Sequence, residues 1–123
     1  MSDLTRGFDV AAKLLDFTSA RARALATNIA HASQPGWRRV DVEFGALLEA
    51  VRLERDGGRK GALARVEPEA RIDESALPGS NGNSVDFERE QVQSDKNALL
   101  HQLATEFINS KLNGLRSAIR GQA

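Results

Sequence analysis

The feature that most constrains this chain is an unbroken seam along its N-terminal segment. Small or apolar side chains fall at Leu4, Phe8, Ala11, Leu15, Thr18, Ala22, Leu25, Ile29 and Ala32. The steps alternate between four and three residues, a heptad repeat that keeps one helix face turned toward a partner. Asp3 is a candidate N-cap, and Gln34-Pro35-Gly36 cannot continue a helix. The spacing predicts a helix of about 28 residues, roughly 42 Å long.

A second helix is expected at the other end, from about residue 86 to 119. Asn83, Ser84 and Asp86 are candidate caps, and Asp86, Glu88 and Glu90 place negative charge at the positive end of the helix dipole. Lys111, Arg116 and Arg120 lie near the opposite end, where the dipole favours cations. Leu100, Leu103, Ala104, Phe107, Ile108, Leu115, Ala118 and Ile119 form a broad apolar face, widened by Leu99 and Leu112.

Between the helices the signal weakens. Trp37 to Phe44 alternates as a short strand would, and Phe44 to Leu53 reads as a short helix. Residues 54–84 hold Asp56-Gly57-Gly58 and Pro78-Gly79-Ser80-Asn81-Gly82, with few large apolar side chains (Leu63, Val66, Ile72, Leu77). A flexible loop or a small β-ornament is expected there. The fold class is therefore mainly α, with long N- and C-terminal helices in an antiparallel coiled-coil hairpin around a short irregular, β-containing middle. Its parts are 1–34 (first helix), 35–84 (exit turn, short strand and helix, loop) and 85–123 (last helix). Apolar stripes this wide exceed what a two-helix hairpin buries against itself. Either neighbouring subunits cover them, or residues 37–80 supply the missing layer of a monomeric bundle.

Composition removes several functional classes. Seventeen basic and seventeen acidic residues cancel along the whole chain of 123 residues, leaving no basic tail for nucleic acid and no polybasic membrane segment. The absence of Cys excludes a disulfide framework, a thiol nucleophile and thiolate metal sites. No stretch approaches the roughly 20 apolar residues of a membrane span, and the N-terminus lacks the apolar run of a cleaved secretory signal. His31 reads as a helix C-cap and His101 as a boundary residue, not as metal ligands. Glu67, Glu69, Asp73 and Glu74 fall in the weak middle, where general acid–base chemistry lacks a rigid frame. Trp37-Arg38-Arg39 resembles a nucleic-acid contact only until Asp41 and Glu43 follow it. No catalytic, cofactor-binding or metal site is expected, and neither an enzyme activity nor a small-molecule substrate. A soluble helical adaptor or export chaperone, docking a partner helix on the seam, stays open.

One stretch decides between these readings. Asn28-Ile29-Ala30-His31-Ala32-Ser33-Gln34-Pro35-Gly36-Trp37 resembles the N-x-A-N-x-x-x-P-G-[YF] signature that closes the first helix in the flagellar rod and hook family. His31 replaces the second Asn, and Trp37 the Tyr or Phe. Asn28 and His31 are expected to turn the helix end, since both tolerate left-handed backbone conformations. Pro35-Gly36 then forces the chain out, and Trp37 packs back. Arg39-Val40-Asp41-Val42-Glu43-Phe44 is similar to the basic-to-acidic-Phe segment that follows the signature in the proximal rod members. Gly82-Asn83-Ser84-Val85-Asp86 resembles their entry to the last helix, and Asn109 to Ile119 their N-x-x-x-x-G-L-[RK] tail.

The resemblance implies a structural subunit of the flagellar basal body rod. Such a subunit is exported by the flagellar type III apparatus without a cleaved signal and polymerises in the periplasm with copies of itself and other rod proteins. The proximal members lie beside the inner-membrane ring and export gate, and motility depends on them. On this reading Leu4, Phe8, Leu15, Leu25 and Ile29, with Leu100, Leu103, Phe107, Leu115 and Ile119, form the subunit interface. A sister rod subunit is the nearest alternative.

Overall fold

The structure, a computed structural model, describes the backbone of residues 3–121 and the side chains of residues 5–121. Expectations placed on the side chains of Asp3 and Leu4 lie outside the described residues. Two long helices dominate: α1 (Asp3–Ala30) and the helix that closes the chain (Phe87–Ile119). Between them run β1 (Val40–Val42), α2 (Gly45–Arg55), α3 (Ala62–Arg65) and β2 (Ala70–Ile72), which makes the closing helix α4. The strands pair antiparallel, with Val40 opposite Ile72 and Val42 opposite Ala70.

Helix α1 serves two neighbours from adjacent faces. Ala11, Thr18 and Leu25, spaced by seven, are buried on the seam, whereas Phe8, Leu15 and Ile29 are half-buried and Ala22 is exposed. A second stripe runs beside it through Val10, Leu14, Phe17, Arg21, Ala24 and Asn28, again in steps of four and three. Its apolar members face the middle of the chain. Phe17 and Ala24 join Val42, Leu47 and Leu63 in the core, flanked by Val40, Phe44, Val51 and Val66. The Phe17 and Phe44 rings meet edge to face at 5.6 Å, a favoured aromatic geometry. Residues 54–84 thus carry α3 and β2 as well as loop. Their few apolar side chains close a core whose other half α1 provides.

The contact between α1 and α4 departs from the expected seam. The residues of α4 that are buried are Glu90, Asn97 and Ala104, spaced by seven, with His101 and Ile108 half-buried. Leu100 is half-buried; Leu103 (55%), Phe107 (40%), Leu115 (36%) and Ile119 (83%) are exposed. Leu103 and Ile119 thus lie off the contact with α1, while Phe107 stands against Gly7. Directional polar pairs occupy that contact instead. Asn97 Nδ2 donates to the Thr18 carbonyl at 2.8 Å, and Asn28 Nδ2 reaches Glu90 Oε2 at 3.3 Å.

The N-terminal end of α1 runs beside Phe107, which a side chain at Gly7 would meet at 3.0 Å. Helix α4, with 33 residues against 28, continues past that end, and residues 111–120 are all exposed. No helix among the described residues is long and apolar enough to cross a membrane.

Candidate functional site

Three segments far apart in sequence converge where α1 ends, β1 begins and α4 starts. Asn28 sits on the last turn of α1 and is fully buried. Its Oδ1 accepts the Val40 amide at 2.9 Å and its Nδ2 donates to the Val40 carbonyl at 2.7 Å, as a paired strand residue would. The helix end is thereby tied to β1. Trp37 folds back, stacks on the His31 ring at 3.9 Å and points Nε1 toward Asn28 Oδ1 at 3.4 Å. His31 Nδ1 donates to the Thr27 carbonyl at 2.8 Å.

The left-handed turn expected at Asn28 or His31 lies elsewhere. Among the described residues no side-chain-bearing residue has positive φ, and Gly36 takes that conformation with φ 79°. The division is physical: Asn28 is held helical by its amide pairing to Val40, so the residue without a Cβ makes the turn.

The turn that follows α1 is tied down from the far side of the sequence. Asn83 Nδ2 faces His31 O at 2.9 Å, Ala32 O at 3.2 Å and Gln34 O at 2.7 Å, and its Oδ1 accepts the Val85 amide at 2.7 Å. This fixes the turn after α1 to the entry of α4 through a distant side chain. Gly82, with φ 80°, lies so close that a Cβ there would stand 3.3 Å from Gly36 Cα. The two glycines of the two motifs come this close because Gly82 has no side chain. Gly36 N donates to Asn81 O, and Ser84 bridges twice: its amide donates to Trp37 O and its Oγ accepts the Arg39 amide. Asp86 then starts α4, its carboxylate accepting the Arg89 amide at 3.3 Å. Val85 is half-buried between these two anchors, and Ala30 and Pro35 are exposed.

Beside the clasp lies a network of charges. Arg39 donates to Glu90 Oε1, to Asp73 Oδ2 at 2.6 Å and to Asp41 Oδ2 at 3.0 Å. Arg21 reaches Asp41 Oδ1 at 2.9 Å and Gln93 at 3.0 Å. Burial opposes the charge on Arg39, yet its hydrogen bonds to Glu90 and Asp41 override this and hold the guanidinium above its ordinary value. Burial likewise opposes ionisation of Asp41, but Arg21, the Val42 amide and Arg39 keep its pKa below the usual carboxylate value. The Ser75 hydroxyl lowers Asp73 against its desolvation, with the Ser75 amide and Arg39 helping. These groups line a polar cleft of ≈ 520 Å³. Its two depressed carboxylates are paired anions near neutral pH, suited to holding three elements together and not to shuttling protons.

The other acids singled out from sequence are also paired: Glu67 with Lys13 at 2.8 Å, Glu69 with Arg71 at 2.8 Å and Glu74 with Arg38 at 3.6 Å. Among the described residues no group of three or more His, Asp or Glu is arranged to hold a metal ion. Leu25 is fully enclosed within the single chain. The exposed apolar surface lies on α4. Val92, Leu99 and Leu103 face away from α1, and Leu112, Leu115 and Ile119 extend past its end.

No protein-family model matches the chain. It is 30% identical to the flagellar basal body rod protein FlgB of Aeromonas hydrophila, the match covering 95% of both chains. The same protein of Cereibacter sphaeroides is 30% identical over 92% of this chain and 93% of its own, and that of Aquifex aeolicus 29% over 98% of each. With the signature motifs built into one clasp and the similarity running end to end, the chain belongs to the FlgB family of flagellar basal body rod proteins.

Proposed function

We propose that this protein is a structural subunit of the proximal flagellar rod, without enzymatic activity, that polymerises through its terminal helices. The observation carrying the proposal is the apolar surface of α4: Val92, Leu99, Leu103 and Phe107 along its flank and Leu112, Leu115 and Ile119 at its end are exposed in the single chain. Surface of this kind on a small chain marks a docking face, and heterologous contacts repeated along a helical array cover it without closing. Phe8, Leu15 and Ile29, half-buried on α1, and Leu100 at the edge of the contact are the remaining interface residues, joined by Leu4. The subunit is carried by the flagellar type III export apparatus into the periplasm, where it joins copies of itself and other rod proteins beside the inner-membrane ring and export gate. The chain's end-to-end similarity to FlgB proteins supports this reading.

Deletion of the gene, with electron microscopy of isolated basal bodies, tests it. Rings lacking rod and hook, restored by the wild-type gene, are expected. Rings bearing a stub of rod would move the subunit to a distal position, and complete motile flagella would leave a helical adaptor. Leu103→Asp, at an exposed position that leaves the monomer folded, is expected to fail to restore rods. Normal swimming in that variant would remove α4's flank from the interface.

A further inference from the structure

Over residues 90–104 the two faces of α4 run against the usual direction of burial. The face turned to α1 carries Glu90, Asn97, His101 and Ala104; the face turned away carries Val92, Leu99 and Leu103. At 3.6 residues per turn the two groups lie about 150° apart around the helix. Hydrophobic burial is non-directional and would roll the leucines inward onto α1. Something directional opposes that roll.

We infer that the buried polar pairs set the rotational phase of α4 and so keep its apolar flank facing outward. Glu90 takes Arg39 Nε and Asn28 Nδ2 at one end of the helix. Two turns further on, Asn97 donates to the Thr18 carbonyl at 2.8 Å. One turn beyond Asn97, His101 Nδ1 and Thr18 Oγ1 share a hydrogen bond at 2.7 Å. Each bond needs its donor and acceptor within a narrow range of distance and angle, and each is lost when α4 turns. The pairs are not optimised for stability alone: Asn97 Oδ1 is buried and meets no donor among the described residues. Buried polar groups that fix one arrangement over its competitors are best attested in coiled coils. The use of the outward flank rests on the proposed rod role; its orientation does not, and it is measured on the isolated chain.

The chain contains no Cys, so Leu103→Cys and, separately, Ala104→Cys each give a single thiol. Alkylation by iodoacetamide is followed with and without Glu90→Ala/Asn97→Ala. Arg39 keeps Asp41 and Asp73 in that background. The expected result is reciprocal: labelling at position 103 slows about tenfold, equivalent to about 1.4 kcal/mol, while labelling at position 104 accelerates. Simple loosening would accelerate both sites and overturn the inference, as would unchanged rates at both in a helical protein. If the double background loses its helical circular dichroism, Asn97→Ala alone carries the same comparison with the same two readings.

Discussion

Replacing Asn83 by Ala removes the clasp between the end of α1 and the start of α4. The Asn83 side chain is 5% exposed, so water does not readily take its place. Its two amide hydrogens serve three carbonyls, and its Oδ1 takes the Val85 amide. That is three hydrogen bonds, at about 1 kcal/mol net each. Gln34 is exposed and its carbonyl can be rehydrated, which lowers the expected loss to about 2–3 kcal/mol. For a domain of this size that lowers Tm by roughly 8–15 °C. Urea unfolding followed by far-UV circular dichroism measures it. Asn83→Asp sharpens the test, since it keeps the acceptor for Val85 but sets an anion against three carbonyls at the negative end of a helix dipole. The Asp variant is expected to be at least as unstable as the Ala variant at pH 7. A loss below about 0.5 kcal/mol for Ala, or an Asp variant as stable as wild type, would refute the reasoning.

Other substitutions follow from the same geometry. Leu25→Ala, at a fully enclosed position, should cost about 2–5 kcal/mol in urea unfolding, against an effect within about 0.5 kcal/mol for Leu103→Ala on the surface. Gly82→Ala should destabilise more than Gly36→Ala: both have positive φ, but only at Gly82 would the new Cβ press on backbone. Roughly 1 kcal/mol is expected for the strained conformation alone, with more at Gly82; equal losses would show that the glycines do not need their contact. Asp41 and Asp73 have depressed values in the folded chain, so the unfolded chain binds more protons there and stability rises with pH through that range. Their contribution is complete above about pH 4–5 and is lost as pH falls through their lower folded values; Asp41→Asn should flatten the acid limb of urea midpoints measured between about pH 2 and 7.

The sequence carried the helices well and their neighbours poorly, for identifiable reasons. Pro35-Gly36 and Asp86 bound the long helices to within a few residues because breakers and caps act locally. The second stripe of α1 has the same four–three spacing as the first, but Arg21 and Asn28 interrupt its apolar character. Both turned out to be partnered by Asp41 and Val40, so polarity there signalled pairing and not solvent. Arg39 and Glu90 lie 51 residues apart in sequence, and no periodicity announces such a pair. The middle looked too poor in apolar residues to fold, yet Leu63 and Val66 suffice once Phe17 and Val10 lie beneath them. The family motifs were legible as strings; that Asn83 binds the turn after the helix containing Asn28 was not, because a bond to a distant side chain depends on tertiary proximity.

The division of labour within the chain follows from where its polar and apolar groups are spent. At the clasp almost every hydrogen-bonding group of the motifs is engaged, and the elements there are fixed with respect to one another without any partner. Along α4 the arrangement is reversed. Towards the C-terminal end of α4, Leu112, Leu115 and Ile119 continue the face that Ala104 and Ile108 turn to α1, and all three are exposed. Asn113-Gly114 lies within these last turns, where Gly costs about 1 kcal/mol relative to Ala. A few turns of helix without tertiary packing are marginal in water. The pattern of apolar residues is therefore longer than the surface the chain can cover, and it is longest where intrinsic helix propensity is weakest. A helix face of that kind gains order by packing on another chain, and the clasp fixes the direction in which α4 is presented to it.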